Sequence, residues 1–333
     1  MTRAVRGLVG PYAPLEPVRR LTVTSTDGSP IHTEIHGPED APAVVLAHGW
    51  TCSTHFWAPV IRLLSTDHRV IAYDQRGHGG SPAAGPGGCS THALAEDLAA
   101  VLTATLAPGE RAVLAGHSMG AMTLLAAADR PALREHAAAV LLCSTGGSRL
   151  AETATVWPLP EGRIRTLLSR LLLRSRAPLG PVTPLAKRAV RYVAMGRHAA
   201  PIAVAAATRI VHACPRRARA DWGGVLARLD LDAGAASLAV PTLVVQGTAD
   251  RLTPIPHARR LAALLPDCVG LTELPGLGHM TPLEDPAAIS GGIRGLVRDH
   301  LAAPADIRAA ETTGTAELAQ STDTTDEQKE RTA

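Results

Sequence analysis

The chain has 333 residues, enough for one large α/β domain or two smaller ones, and its 46% hydrophobic content excludes a globally disordered protein. Aromatics are only 2%, so the core must be built from Ala, Leu and Val, and the net charge is a modest +3. Five scattered cysteines (Cys52, Cys89, Cys143, Cys214, Cys268) contain no CxxC pair, which argues against both a zinc site and a disulfide framework.

The opening MTRAVRGLVGPYAP has no apolar run of signal-peptide length. Nowhere does the chain approach ~18 uninterrupted apolar residues. Cytoplasmic residence is the expectation. After an N-terminal extension (1–19), RLTVTST (20–26) and IHTEIHG (31–37) flank DGSP and predict an antiparallel hairpin. AVVLAHG (43–49) is a continuous apolar run ending in glycine, the pattern of a strand buried on both faces. HFWAPVIRLLS (55–65) has helical spacing, and RVIAYD (69–74) reads as the next strand. A helix (91–106), a strand (111–116), a helix (119–130) and a strand (138–144) follow. This alternation predicts a mostly parallel sheet of about eight strands with helices on both faces.

The alternation stops at 149 and resumes with the strand PTLVVQG (241–247), a helix (256–266), the strand CVGLTEL (268–274) and a last helix (286–301). Residues 149–235 therefore read as a helical insertion, or cap, between two parts of one core, 20–148 and 236–302. The tail, 303–333, is rich in Thr, Ala, Asp and Glu, lacks apolar periodicity and is expected to be disordered.

Chemistry concentrates at the ends of predicted strands. GHSMG (116–120) is a G-x-S-x-G string between a buried strand and a helix. A serine in a sharp strand-to-helix turn needs neighbours without a Cβ, which Gly116 and Gly120 provide. The turn would expose Ser118 above the sheet and aim a helix N-terminus at it. A serine hydroxyl needs a base, and the base needs an orienting carboxylate. The loop QGTADRLTP (246–254) offers Asp250 and the loop PGLGHMTPLEDP (275–286) offers His279, whereas STGGSR (144–149) carries no carboxylate. AHGW (47–50) ends another strand and offers the Trp50 N–H beside that of Met119 as an oxyanion hole.

The segments AHGW, YDQRGHG (73–79), GHSMG, GTADRLTP and GLGHMTPLEDP resemble, in order, those of the α/β-hydrolase superfamily, in its serine-nucleophile branch with a helical cap. The resemblance spans about 43 to 286. It implies an α/β-hydrolase fold, the triad Ser118, Asp250 and His279, and an oxyanion hole from the Trp50 and Met119 N–H groups. Serine rather than aspartate at the nucleophile position separates the chain from haloalkane dehalogenases and epoxide hydrolases.

Other polar residues read as structural. His48 packs the loop after its strand, Asp74, Arg76 and His78 brace theirs, and Cys52 is a small filler. The glycine-rich 77–88 has neither G-x-G-x-x-G nor G-K-[ST], so no nucleotide site is expected, nor any cofactor, metal or nucleic-acid partner.

The cap carries 14 Arg or Lys against two acidic residues between 149 and 219. Within RIRTLLSRLLLRSR (163–176), Ile164, Leu167, Leu168, Leu171 and Leu172 repeat at helical spacing, with Arg163, Arg170 and Arg174 on the other face. The apolar side is expected on the cleft and the basic back in solvent. On that basis Trp50, Leu167, Leu171 and Met280 are the expected substrate contacts. The alternative is a lid that meets anionic membrane lipid, or a port for anionic acyl donors.

The chemistry expected is cleavage of small hydrophobic carboxylic esters through an acyl-enzyme, as in carboxylesterases and lipases. Thioesterase, acyltransferase, C–C hydrolase or cofactor-free perhydrolase chemistry fits the same triad. A non-catalytic ligand-binding or membrane-surface role is the alternative of another class.

Overall fold

The computed structural model describes residues 7–85 and 87–301, so the expected disordered tail lies outside the described residues. Its centre is an eight-stranded sheet: β1 (Arg19–Thr24), β2 (Pro30–His36), β3 (Ala43–Ala47), β4 (Arg69–Tyr73), β5 (Ala112–His117), β6 (Ala137–Cys143), β7 (Thr242–Gly247) and β8 (Cys268–Leu274). The spatial order is β1-β2-β4-β3-β5-β6-β7-β8. β2 pairs antiparallel with β1 and β4, and every other pairing is parallel. The α/β-hydrolase fold expected from the sequence is therefore present.

The central strands explain why the sequence shows continuous apolar runs rather than alternation. Every residue of β3, β5 and β6 is buried, because helices cover both faces. Alternate side chains feed two apolar layers. Val45, Ile71, Leu114 and Leu142 point to one, which holds α2 (Thr91–Thr105) and α3 (Met119–Ala126). Val44, Val70, Val113 and Leu141 point to the other, with α1 (Ala58–Leu64) and, late in the chain, the helix Pro286–His300. The helix starts have local causes. Ser90 Oγ accepts the Ala93 N–H at the start of α2, and Asp285 does the same for Ala288 beside Pro286.

A short helix absent from the sequence reading, α4 (Pro131–His136), precedes β6. Between β6 and β7 the described chain holds helices and one isolated bridge, Ser148 to Asp230. These helices are α5 (Leu150–Thr153), α6 (Arg163–Leu173), α7 (Pro184–Ala194), α8 (Pro201–Ala213), α9 (Arg216–Leu226) and α10 (Asp232–Ser237). α11 (Pro256–Leu264), α12 (Thr281–Glu284) and α13 (Pro286–His300) complete the core. The described part of the N-terminal extension packs on it: Leu8 and Tyr12 are buried, and Tyr12 Oη donates to the Leu283 carbonyl at 3.1 Å. No helix among the described residues is long and apolar enough to cross a membrane.

Candidate active site

Ser118 stands between β5 and α3 with φ 53° and ψ −116°, a conformation that L side chains rarely adopt. The flanking glycines make the turn possible. A Cβ on Gly116 would lie 2.5 Å from the Ala121 nitrogen, and one on Gly120 would overlap the Ala47 carbonyl oxygen. A Cβ on Gly49 would lie 3.1 Å from Ser118 Cβ, so the loop after β3 presses against the serine. Neither the Trp50 nor the Met119 backbone N–H has an acceptor among the described residues, so both donors are available.

His279 Nδ1 lies 2.7 Å from Asp250 Oδ2. The carboxylate is more heavily donated to than the sequence suggests. Gln246 Nε2 and Thr253 Oγ1 each donate to Oδ2 at 2.8 Å. The Leu252 and Thr253 N–H groups donate to Oδ1 at 2.8 and 2.9 Å. Burial alone would raise the Asp250 pKa, but the neighbouring His279 and these donors outweigh it and hold the carboxyl below its usual value.

The backbone of His279 is fixed as well as its ring. Its N–H and that of Met280 both donate to the Ala194 carbonyl at the end of α7, at 2.9 and 3.1 Å. Its carbonyl takes a 2.8 Å hydrogen bond from His117 Nε2. Burial, with the adjacent His279 adding to it, pushes His117 down to about 3, so the ring is neutral and its proton sits on Nε2. Glu284 accepts the Gly196 and Gly278 N–H groups at 2.7 and 3.0 Å and ties the His279 loop to the cap.

Ser118 and His279 border one cavity of about 380 Å³, walled also by residues of the helices between β6 and β7. The hydrogen bonds among the described residues include none between Ser118 and His279. Of the four expected substrate contacts, Trp50 and Met280 line the cavity. Leu167 and Leu171 do not. They are 57% and 60% exposed, and Leu172 and Leu173 border the cavity instead. The cause is Arg165, which the spacing could not orient. Its buried guanidinium donates to the Glu152 and Leu159 carbonyls at 3.0 and 3.4 Å. With Ser169 it turns inward, and the apolar stripe turns out.

The loop carrying Trp50 is braced from below. Asp74 accepts the Thr54 and Gly80 N–H groups at 2.7 Å each, and burial lifts its pKa to about 6. His48 Nε2 accepts the Gln75 N–H at 3.0 Å, and His78 Nε2 that of Thr51 at 3.3 Å. Arg76 donates to Asp97 at 2.7 Å and Asp27 at 2.8 Å. Trp50 Nε1 reaches into the cap to the Arg219 carbonyl at 2.9 Å. Thr253, Gln246, His117 and Glu284 went unread in the sequence. Only Thr253 left a signal there, since Asp followed by Thr three residues on is a side-chain-to-backbone turn.

A serine in a strained turn, an imidazole backed by a buried carboxylate and two free N–H groups, all at the carboxyl ends of parallel strands, define a hydrolase of the α/β class. The model of the alpha/beta hydrolase fold family matches residues 42–286, and the chain belongs to that family. It is 34% identical over 264 residues to a protein of Variovorax paradoxus named "Putative carbamate hydrolase RutD", covering 78% of this chain and 93% of that one. It is 27% identical over 290 residues to the bifunctional esterase/perhydrolase DCH of Acinetobacter calcoaceticus, covering 83% and 99%. Among solved structures, an esterase of Thermogutta terrifontis is similar in fold with a TM-score of 0.66 at 24% identity, over 85% of this chain and all of that one.

Proposed function

We propose that the protein is a serine hydrolase that cleaves carboxylic esters of hydrophobic substrates through an acyl-enzyme. His279 Nε2 takes the Ser118 proton as Oγ attacks the ester carbonyl. Asp250 holds the imidazole with its proton on Nδ1 and stabilises the imidazolium that forms. The Trp50 and Met119 N–H groups receive the oxyanion, a donor in such a place being worth ~2.7–4 kcal/mol of barrier. The proton passes from His279 to the departing alkoxide. Water then attacks the acyl-serine with the same base, releasing the acid.

The observation that carries this reading is the location of Ser118 and His279 on one cavity whose walls, Met122, Leu150, Val190 and Leu252 among them, are mainly apolar. Such walls suit an acyl or alkoxy hydrocarbon group better than a small polar substrate. The esterase/perhydrolase relative supports ester cleavage. Carbamate hydrolysis is the second reading, favoured by the 34% identity to the RutD relative. A panel of p-nitrophenyl esters of increasing chain length, set against carbamates, acyl-CoA and ring-cleavage diketones, separates these. A fluorophosphonate probe should label Ser118. Folded protein that resists the probe would overturn the acyl-enzyme reading.

A further inference from the structure

Nine of the thirteen large hydrophobic side chains exposed among the described residues lie between 159 and 202, in the cap. Isolated exposed leucines are ordinary, but a concentration of them marks a surface that something covers. The two helices that wall the cavity carry the most exposed of these. Ile164 on α6 is 70% exposed and Leu185 on α7 is 76% exposed.

Both helices carry basic residues at the edge of their exposed apolar sides, so the α6 arginines expected on the other face border the leucines instead. Arg163 and Arg170 on α6 and Arg174 just after it are exposed, and helical geometry brings Arg163, Leu167 and Arg174 within about 40° of one another. On α7, Arg188 is exposed one turn from Leu185, and Arg191 is exposed but donates to the Arg197 carbonyl. The cap's two acidic residues before position 219 are already engaged, Glu152 with Arg170 and Glu161 beside Arg165. Arg174 also borders a second cavity, of about 630 Å³, with Arg228 and with Arg176 and Arg217, which pair with Asp221 in the same lining.

We infer that the exposed sides of α6 and α7 dock on an anionic lipid bilayer. The leucine and isoleucine side chains enter the boundary between headgroups and acyl chains, and the arginines meet headgroup phosphates. Charge decides between candidate occupants. A second copy packed on the same face would set one arginine-rich patch against another. A neutral bilayer would cover the apolar residues and leave the arginines unanswered. An anionic bilayer answers both. None of this depends on the bond that the enzyme cleaves.

The test is sedimentation of the full chain with phosphatidylglycerol–phosphatidylcholine vesicles and with pure phosphatidylcholine vesicles, at low and high sodium chloride. Partitioning onto the anionic vesicles should exceed that onto the neutral ones by about tenfold or more and fall as salt is added. Ile164→Glu with Leu185→Glu should lower it at least about tenfold while p-nitrophenyl butyrate turnover stays unchanged. Arg163→Glu with Arg188→Glu should erase the preference for the anionic vesicles. Equal or absent sedimentation of the wild-type chain with the two vesicle types overturns the inference. So does a concentration-dependent dimer that Ile164→Glu with Leu185→Glu dissolves.

Discussion

Asp250→Asn tests the proposed chemistry most directly, because the five donors around the carboxylate dictate how the asparagine must sit. The Leu252 and Thr253 N–H groups that face Oδ1 belong to the backbone and cannot turn away. The asparagine oxygen must therefore take that place, leaving its NH2 where Oδ2 was. There it meets Gln246 Nε2, Thr253 Oγ1 and His279 Nδ1, three donors facing a fourth. Thr253 can rotate its hydroxyl. Gln246 can offer its unpartnered Oε1 only by giving up the 2.9 Å bond to the Thr253 carbonyl. His279 can accommodate the change by moving its proton from Nδ1 to Nε2, and an Nε2 that carries a proton cannot take one from Ser118. The loss in kcat should be about 10⁴-fold, as for the same exchange in a serine protease triad, which is about 5 kcal/mol. The loss in stability should be only about 1–3 kcal/mol, the cost of one unsatisfied buried group. Steady-state hydrolysis of p-nitrophenyl butyrate, the rate of fluorophosphonate labelling and a thermal melt measure the three quantities. A folded Asp250→Asn protein within about tenfold of wild-type kcat would refute the assignment of Asp250 as the group that holds His279 in the reactive tautomer.

Ser118→Ala and Ser118→Gly should both abolish labelling and turnover, but glycine relieves the φ of 53° and should melt higher, the two differing by about 1 kcal/mol. Equal melting would mean that the turn holds no strain. Gly120→Ala, whose Cβ would overlap the Ala47 and His48 carbonyl oxygens, should cost about 3 kcal/mol or more in chemical denaturation. Gly291→Ala, in open space within α13, should instead gain about 0.5–1 kcal/mol in the same assay. Acid should unfold the protein partly through Asp250. Its pKa is held below the ordinary 3.8 in the fold, so its stabilisation is present above 3.8 and is lost as pH falls through the lower folded value. The melting temperature of the wild type should drop on acidification below about pH 4, and that of Asp250→Asn should drop less.

The architecture was legible because burial on both faces writes itself as unbroken apolar runs, such as VVLA in β3, ended by glycines. Ser118 was legible for a steric reason: the turn tolerates only glycine at 116 and 120, and that demand survives in the chain as a spacing. Asp250 and His279 could be placed because they follow strands. The orientation of α6 was not legible. Its periodicity shows that Ile164, Leu167 and Leu171 share a face, but what aims that face outward is Arg165 reaching carbonyls elsewhere in the cap. His117 was hidden for a similar reason, since it supports a carbonyl 162 positions away. The Glu284 contact with Gly196 spans 88 positions.

The Ala194 carbonyl accepts two N–H groups, those of His279 and Met280, and this joins the end of α7 to the His279 loop through the main chain rather than through side chains. A cap that swung away as a rigid flap, lifting the end of α7, would tear the imidazole's own peptide unit from its support. Under the proposed mechanism the anchored end of α7 must therefore stay in place while His279 acts. Leu172 and Leu179, outside α7, also line the cavity and are 40% and 42% exposed, so solvent reaches it there.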